Sequence, residues 1–173
     1  MKKILIVLVL FAGLLAALRF IEVQAPPDNR QAPTPSCREP NAAPDARVPS
    51  CEALKTIAAV YEKDILPIFA AKCLMCHGVV AKVPLYAKVP PSSLLVRHDI
   101  EEAKEHMDMS FGFPFQGKDA KTPSEALSEI AEVVRDNEMP PAIYKIMHWH
   151  SSLSPEEARI ILAWTNAGLG SLK

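Results

Sequence analysis

The chain has 173 residues and a mass of 19.0 kDa, with 6 Gly, 16 Pro and 49% apolar residues, values that suit one globular domain and exclude collagen, a wholly disordered chain and a multidomain enzyme. Its 19 Lys and Arg against 20 Asp and Glu leave a net charge of −1, so no general basic surface is available to neutralise phosphates and nucleic acid is not an expected partner. Four cysteines, at 37, 51, 73 and 76, are too few for a disulfide-dense miniprotein and fall into two pairs with different expected jobs.

Lys2 and Lys3 precede an unbroken run of apolar or small residues from Ile4 to Leu18, which Arg19 ends; this is the pattern of an export signal. A helix over that run covers about 22 Å against a hydrocarbon core of roughly 30 Å, so a permanent span over residues 4–21 must recruit Phe20 and Ile21 with Arg19 snorkelling. Val23-Gln24-Ala25 offers a cleavage site, with Pro26 an unfavourable neighbour just after it. Residues 1–25 therefore read either as a cleaved signal peptide or as a retained membrane anchor. In both cases the rest of the chain is expected in the periplasm, soluble or tethered to the inner membrane.

Residues 26–49 hold seven of the sixteen prolines and almost no bulky apolar side chains, so they are expected to form an extended linker. Cys37 and Cys51 bracket much of it. In an oxidising compartment they are expected to close a disulfide loop of about 15 residues, two unpaired thiols being the alternative.

From Ser50 to Lys173 the apolar residues recur at helical spacing, and the expected fold is all-α, with four or five short helices and long loops. Ser50 is placed to cap a helix carrying Leu54, Ile57, Ala58 and Tyr61, and Asp64 to cap a second with Pro67 near its start. Ser92 or Ser93 opens the next, with Leu94, Leu95, His98, Ile100 and Ala103 along one side. Thr122-Pro123-Ser124-Glu125 and Ser154-Pro155-Glu156-Glu157 each combine an N-cap, Pro at the first helical position and a capping-box glutamate. Gly168 stands where a C-terminal cap of the last helix is expected. Loops 78–91, 108–121 and 138–153 are too long and too apolar for a chain that packs only on itself, which predicts a non-protein group in the middle.

Lys72-Cys73-Leu74-Met75-Cys76-His77 contains the C-x-x-C-H sequence for attachment of a c-type haem. Two cysteines three apart on one helical turn can reach the two vinyl groups of one porphyrin edge as thioethers, and His77 is then held under the iron as its proximal ligand. Three rival readings compete: a thioredoxin-like pair, which wants a βαβ setting; a structural zinc site completed by Cys37 and Cys51; and a Cys73–Cys76 disulfide, which leaves His77 unexplained. The sixth iron ligand decides between electron transfer and ligand chemistry. Met107, Met109, Met139 and Met147 are the sulfur candidates, and His98, His106, His148 and His150 the nitrogen ones. Met139 is preferred, because Asn137-Glu138-Met139-Pro140-Pro141 puts it on a stiffened loop just after a helix, 62 residues past His77. Met75 and Met147 read as core filling, His148 and His150 as surface or hydrogen-bonding residues, and His98 and His106 as part of a solvated face.

These residues resemble the haem-binding domain of exported bacterial monohaem c-type cytochromes, related to class I cytochromes c. The likeness is carried by Leu66-Pro67-Ile68-Phe69, Cys73, Cys76-His77, the stretch Val83 to Ser92, His106 to Ser110, Glu138 to Pro141, Tyr144, His148, Leu153-Ser154 and Trp164, over about residues 60 to 166. The resemblance implies one covalently attached haem c wrapped by short helices, His77 and Met139 as axial ligands, and the Pro84 carbonyl as acceptor of the second ring proton of His77. It further implies a carrier of single electrons between redox protein donors and acceptors, not an enzyme. The alternative function is a haem peroxidase or gas-binding sensor with an open or displaceable sixth ligand. A membrane-tethered redox subunit of a larger complex is a third possibility.

Overall fold

A computed structural model describes residue 37, residues 48–79 and residues 84–173, all within one compact unit, Thr34–Lys173. The expectations for residues 1–25 and for most of the proline-rich stretch lie outside the described residues. Ser50 caps helix α1 (Cys51–Val60), its hydroxyl accepting from Ala53 N at 3.1 Å, and this helix buries Cys51, Leu54 and Ile57. Asp64 caps nothing. The helix instead continues through a π turn, Tyr61–Ile65, in which Leu66 N reaches back to Tyr61 O, and runs into α2 (Leu66–Lys72). Pro67 sits in the first turn of α2, where its missing N–H costs little. After Cys73 comes one turn of helix, α3 (Leu74–His77).

A 3-10 turn, Leu85–Lys88, leads to α4 (Ser92–His106). Here the expected serine cap is absent. Pro91 takes the cap position, and the Ser92 hydroxyl instead donates to the carbonyls of Tyr86 and Val89, tying α4 to the 3-10 turn. Both later capping boxes form as expected: Thr122 with Glu125 opens α5 (Pro123–Arg135), and Ser154 with Glu157 opens α7 (Pro155–Ser171). Between them lies α6 (Ala142–Met147). Gly168 does not end α7, which continues for three more residues. A Cβ on it would stand 2.7 Å from Leu127 Cδ1, so a bare backbone is what lets α7 lie against α5.

The fold is all-α: among the described residues there are more helices than the four or five expected and no strand, and Asp108 and Gln116 form an isolated bridge. The core lies where α1, the π turn, α5 and α7 meet, because each presents one apolar stripe there; in α5 the stripe is Ala126, Leu127, Ile130 and Ala131. At its centre five rings interlock. Tyr61 packs edge-on against Phe69 and Phe115 with centroids 5.8 and 5.3 Å apart, and Trp164 packs against Tyr61, Phe69, Phe113 and Phe115. Edge-to-face pairs of this kind contribute about 0.5–1.5 kcal/mol beyond area burial. The indole N–H is satisfied by Ile57 O at 3.2 Å. Cys37 is disulfide-bonded to Cys51, Cα atoms 4.9 Å apart, and packs at the edge of this core.

The other side of the molecule is built differently. The fifteen residues of α4 bury none of their side chains, and its Leu94 and Leu95 are 56% and 61% exposed. Val79, Leu85 and Val89, on the segments that flank or precede α4, are exposed as well.

Candidate functional site

Cys73, Cys76 and His77 sit on a single turn, half-buried, with both thiols unpaired. No disulfide joins Cys73 to Cys76, and the surroundings are helical on both sides rather than βαβ. Cys37 and Cys51 are bonded to each other and so cannot complete a zinc site with them; among the described residues no group of three or more His, Cys, Asp or Glu is arranged to hold a metal. Burial pushes the Cys73 thiol up to about 12, with the Cys76 thiol adding to the rise, and raises Cys76 too, helped by Asp99. Both are therefore held as neutral thiols near pH 7.

His77 is fixed at two points. Its Nδ1 lies 2.8 Å from Met107 O, and its own carbonyl accepts from Met109 N at 2.7 Å. Since a carbonyl can only accept, Nδ1 carries the proton and the lone pair resides on Nε2. Burial lowers the imidazole pKa against the opposing pull of the Met107 carbonyl, which keeps the ring neutral, the form that binds a metal. The resemblance assigned this acceptor role to Pro84. In the structure Met107 holds it, because the end of α4 brings its carbonyl to the ring, whereas Pro84 opens the 3-10 turn and its carbonyl accepts from Ala87 N at 3.0 Å.

The segment that supplies this clamp is itself braced. Asp108 pairs with Gln116 through N–H to carbonyl bonds of 2.5 and 3.2 Å, and its side-chain Oδ1 accepts from Ser110 N at 2.9 Å. The return strand of this loop passes so close that a Cβ on Gly117 would lie 2.1 Å from His106 O; Gly117 also has φ of +145°, which an L side chain rarely adopts. Met107 and Met109 are buried; the Met107 carbonyl faces His77 Nδ1, and the Met109 N–H bonds the His77 main chain.

Two of the other histidines, His148 and His106, have their rings engaged. His148 receives a bond from the Tyr86 hydroxyl at Nε2, 2.7 Å, and gives one from Nδ1 to Tyr144 O at 3.1 Å, with its ring stacked 4.0 Å from that of Tyr144. This agrees with a hydrogen-bonding rather than a ligating part. His106, expected on a solvated face, instead meets Asp119 at 2.5 Å. Lys72, just before the first cysteine, donates to His150 O and ties the turn to the loop after α6. Met139 lies on the loop after α5, 41% exposed and outside the core. Its thioether is therefore not consumed in packing. Met75 is half-buried and outside the core as well.

This arrangement fits a porphyrin on three counts. Two neutral thiols and a neutral imidazole with its Nε2 lone pair available share one turn. Leu94 and Leu95 are exposed on the helix packed against that turn, and Leu85 and Val89 are exposed on the segment packed against that helix, apolar surface that a flat apolar group would cover. The Tyr61 hydroxyl is buried without a hydrogen-bond partner, and such a group costs about 1–3 kcal/mol unless an acceptor reaches it. The acceptors and clamps of His77 were not legible in the sequence, because a main-chain carbonyl has no residue signature. The nearest hint was Asp108 two residues before Ser110, the spacing of an Asx turn.

Comparison with known proteins agrees with this geometry. The chain is 29% identical over 92 residues, 53% of its length, to the cytochrome c peroxidase Ccp of Escherichia coli (strain K12), and covers only 20% of that protein. No solved structure matches the chain. The model of the haem-binding domain family matches residues 39–167, a span that takes in the Cys73–His77 turn, its Met107–Met109 clamp, the Met139 loop and most of α7. With three quarters of its residues inside that match, the chain belongs to the haem-binding domain family.

Proposed function

We propose that this chain carries one covalently attached haem c and passes single electrons between protein partners outside the cytoplasm. The observation that carries the reading is the turn Cys73–His77, where two unpaired thiols stand beside an imidazole whose tautomer and orientation are already set by Met107 and Met109. Cys73 and Cys76 would each add across one vinyl group of the porphyrin, sulfur bonding one carbon and the thiol proton going to the other, so that no atom is lost. His77 would bind the iron through Nε2, its proton on Nδ1 held by Met107 O. When bound, the haem supplies an iron that takes up and gives back one electron with little rearrangement around it.

Met139 is the residue that would supply a second protein ligand to the iron. Met107 and Met109 are buried in the core, His148 has both ring nitrogens hydrogen-bonded, His106 is paired with Asp119, and Met139 is exposed on a loop. The basic and then apolar start of the chain supports export, through a cleaved signal or a retained anchor.

The likeness to a cytochrome c peroxidase favours a second reading, in which the domain serves peroxide chemistry or is the electron-input module of a larger enzyme. Optical spectra separate the two. A low-spin oxidised spectrum with the weak far-red band of a sulfur–iron bond, lost in Met139→Ala, supports the carrier. A high-spin spectrum of the unaltered protein, with fast carbon monoxide binding, supports the second reading and rejects Met139 as a resident ligand.

A further inference from the structure

His77 is gripped by the two residues on either side of Asp108: Met107 through its carbonyl to Nδ1 and Met109 through its N–H to the His77 carbonyl. Asp108 itself is 9% exposed, an unusual position for a carboxylate, and it spends one oxygen on the N–H of Ser110. That bond closes the turn in which both grips are made. The bridge to Gln116 then fixes the main chain of Asp108 from the other direction.

We propose that Asp108 is a positioning residue for His77: its buried carboxylate locks the turn that aims the Met107 carbonyl at the imidazole, and its charge, on the residue next to that carbonyl's, lowers the reduction potential of the iron that His77 would bind. Two physical effects act in the same direction. A firm Nδ1–H···O=C bond makes the imidazole a stronger donor, which favours the ferric state. A fixed negative charge in a poorly solvated place favours the more positive form of the iron. Removing it shifts the potential upward whatever else faces the carboxylate, since one negative charge is lost in every case.

The inference rests on the proposed haem attachment, and the experiment keeps the two apart. Full-length holoprotein is prepared with Asp108 intact, as Asp108→Asn, which keeps an oxygen acceptor for Ser110 N but loses the charge, and as Asp108→Ala, which loses both. The midpoint potential is measured by spectroelectrochemistry and thermal stability by circular dichroism. Asp108→Asn is expected to retain covalent haem and near-parental stability while its midpoint rises; the ferrous-to-ferric ratio at a fixed potential grows about tenfold, which is about 59 mV for a one-electron couple. Asp108→Ala is expected to rise at least as far and to melt lower. A holo Asp108→Asn with a midpoint shifted less than about twofold in that ratio overturns the proposal and leaves haem attachment standing. A colourless parental protein overturns the attachment itself. Should neither variant accumulate as holoprotein, NMR of the reduced parental protein decides: a through-hydrogen-bond coupling between His77 Nδ1–H and the Met107 carbonyl, with a strongly exchange-protected Ser110 N–H, supports the lock, and the absence of either overturns it.

Discussion

A ring nitrogen that faces a carbonyl oxygen has its tautomer decided for it, and at His77 that single contact leaves the lone pair on Nε2, the form a metal would need. The thiols beside it are held in check by burial. With Cys73 raised from 9.0 to about 12, its thiolate fraction near pH 8 is about a thousandfold lower than that of a free thiol. In folded, haem-free, reduced protein, Cys73 should react with iodoacetamide about that much more slowly than in urea-unfolded protein, as read by peptide mass spectrometry; equal rates would show that the site is not formed without haem. The linkage has a sign: the folded-state pKa lies above the unfolded value, so this contribution to stability is fully present below pH 9 and is lost as pH climbs towards 12. Replacing Cys73 or Cys76 with Ser should leave at most one thioether and markedly lower the yield of haem that survives acid–acetone extraction. At this scale the grouping of Cys73, Cys76 and His77 on one turn was plain in the sequence, since C-x-x-C-H is written in side chains. Met107 was not, because it acts through its main chain, and Pro84 was expected in its place on resemblance alone.

Helix beginnings were the elements most readily read, because capping is local chemistry. Both capping boxes formed at the expected residues, and Thr122→Ala should cost about 1 kcal/mol in denaturant unfolding. The errors arose where distant packing overrode local signals. Asp64 looks like a cap, yet the chain keeps its helix through a π turn that places both Tyr61 and Ile65 in the core. Gly168 looks like a helix end, yet it serves as the contact point between α5 and α7. Gly168→Ala must move Leu127 and should destabilise by about 1–3 kcal/mol, whereas Trp164→Ala, which opens the middle of the aromatic cluster, should cost about 3–5 kcal/mol. A Gly168→Ala variant as stable as its parent would show that α5 and α7 are not packed as described.

Taken whole, the molecule has two unequal halves. One is a protein-only core of interlocked rings beneath α1, α5 and α7; the other, around α3, the 3-10 turn and α4, offers apolar residues with little of the chain to cover them. The sequence already suggested the second half, through loops too long and apolar to pack on themselves, while the completeness of the first was not visible because Tyr61, Phe69, Phe113, Phe115 and Trp164 are spread over 104 residues. Hydrogen exchange on haem-free protein should therefore find α1, α5 and α7 protected and α4 exchanging faster, with the difference narrowing once haem is attached. The most direct test of the account is the intact mass of protein purified from its native host, taken before and after acid–acetone extraction and followed by peptide mapping. The account predicts the added mass of one haem, retained through extraction and carried by the peptide containing Cys73 and Cys76; a mass equal to the polypeptide alone, or haem that washes away, would contradict it.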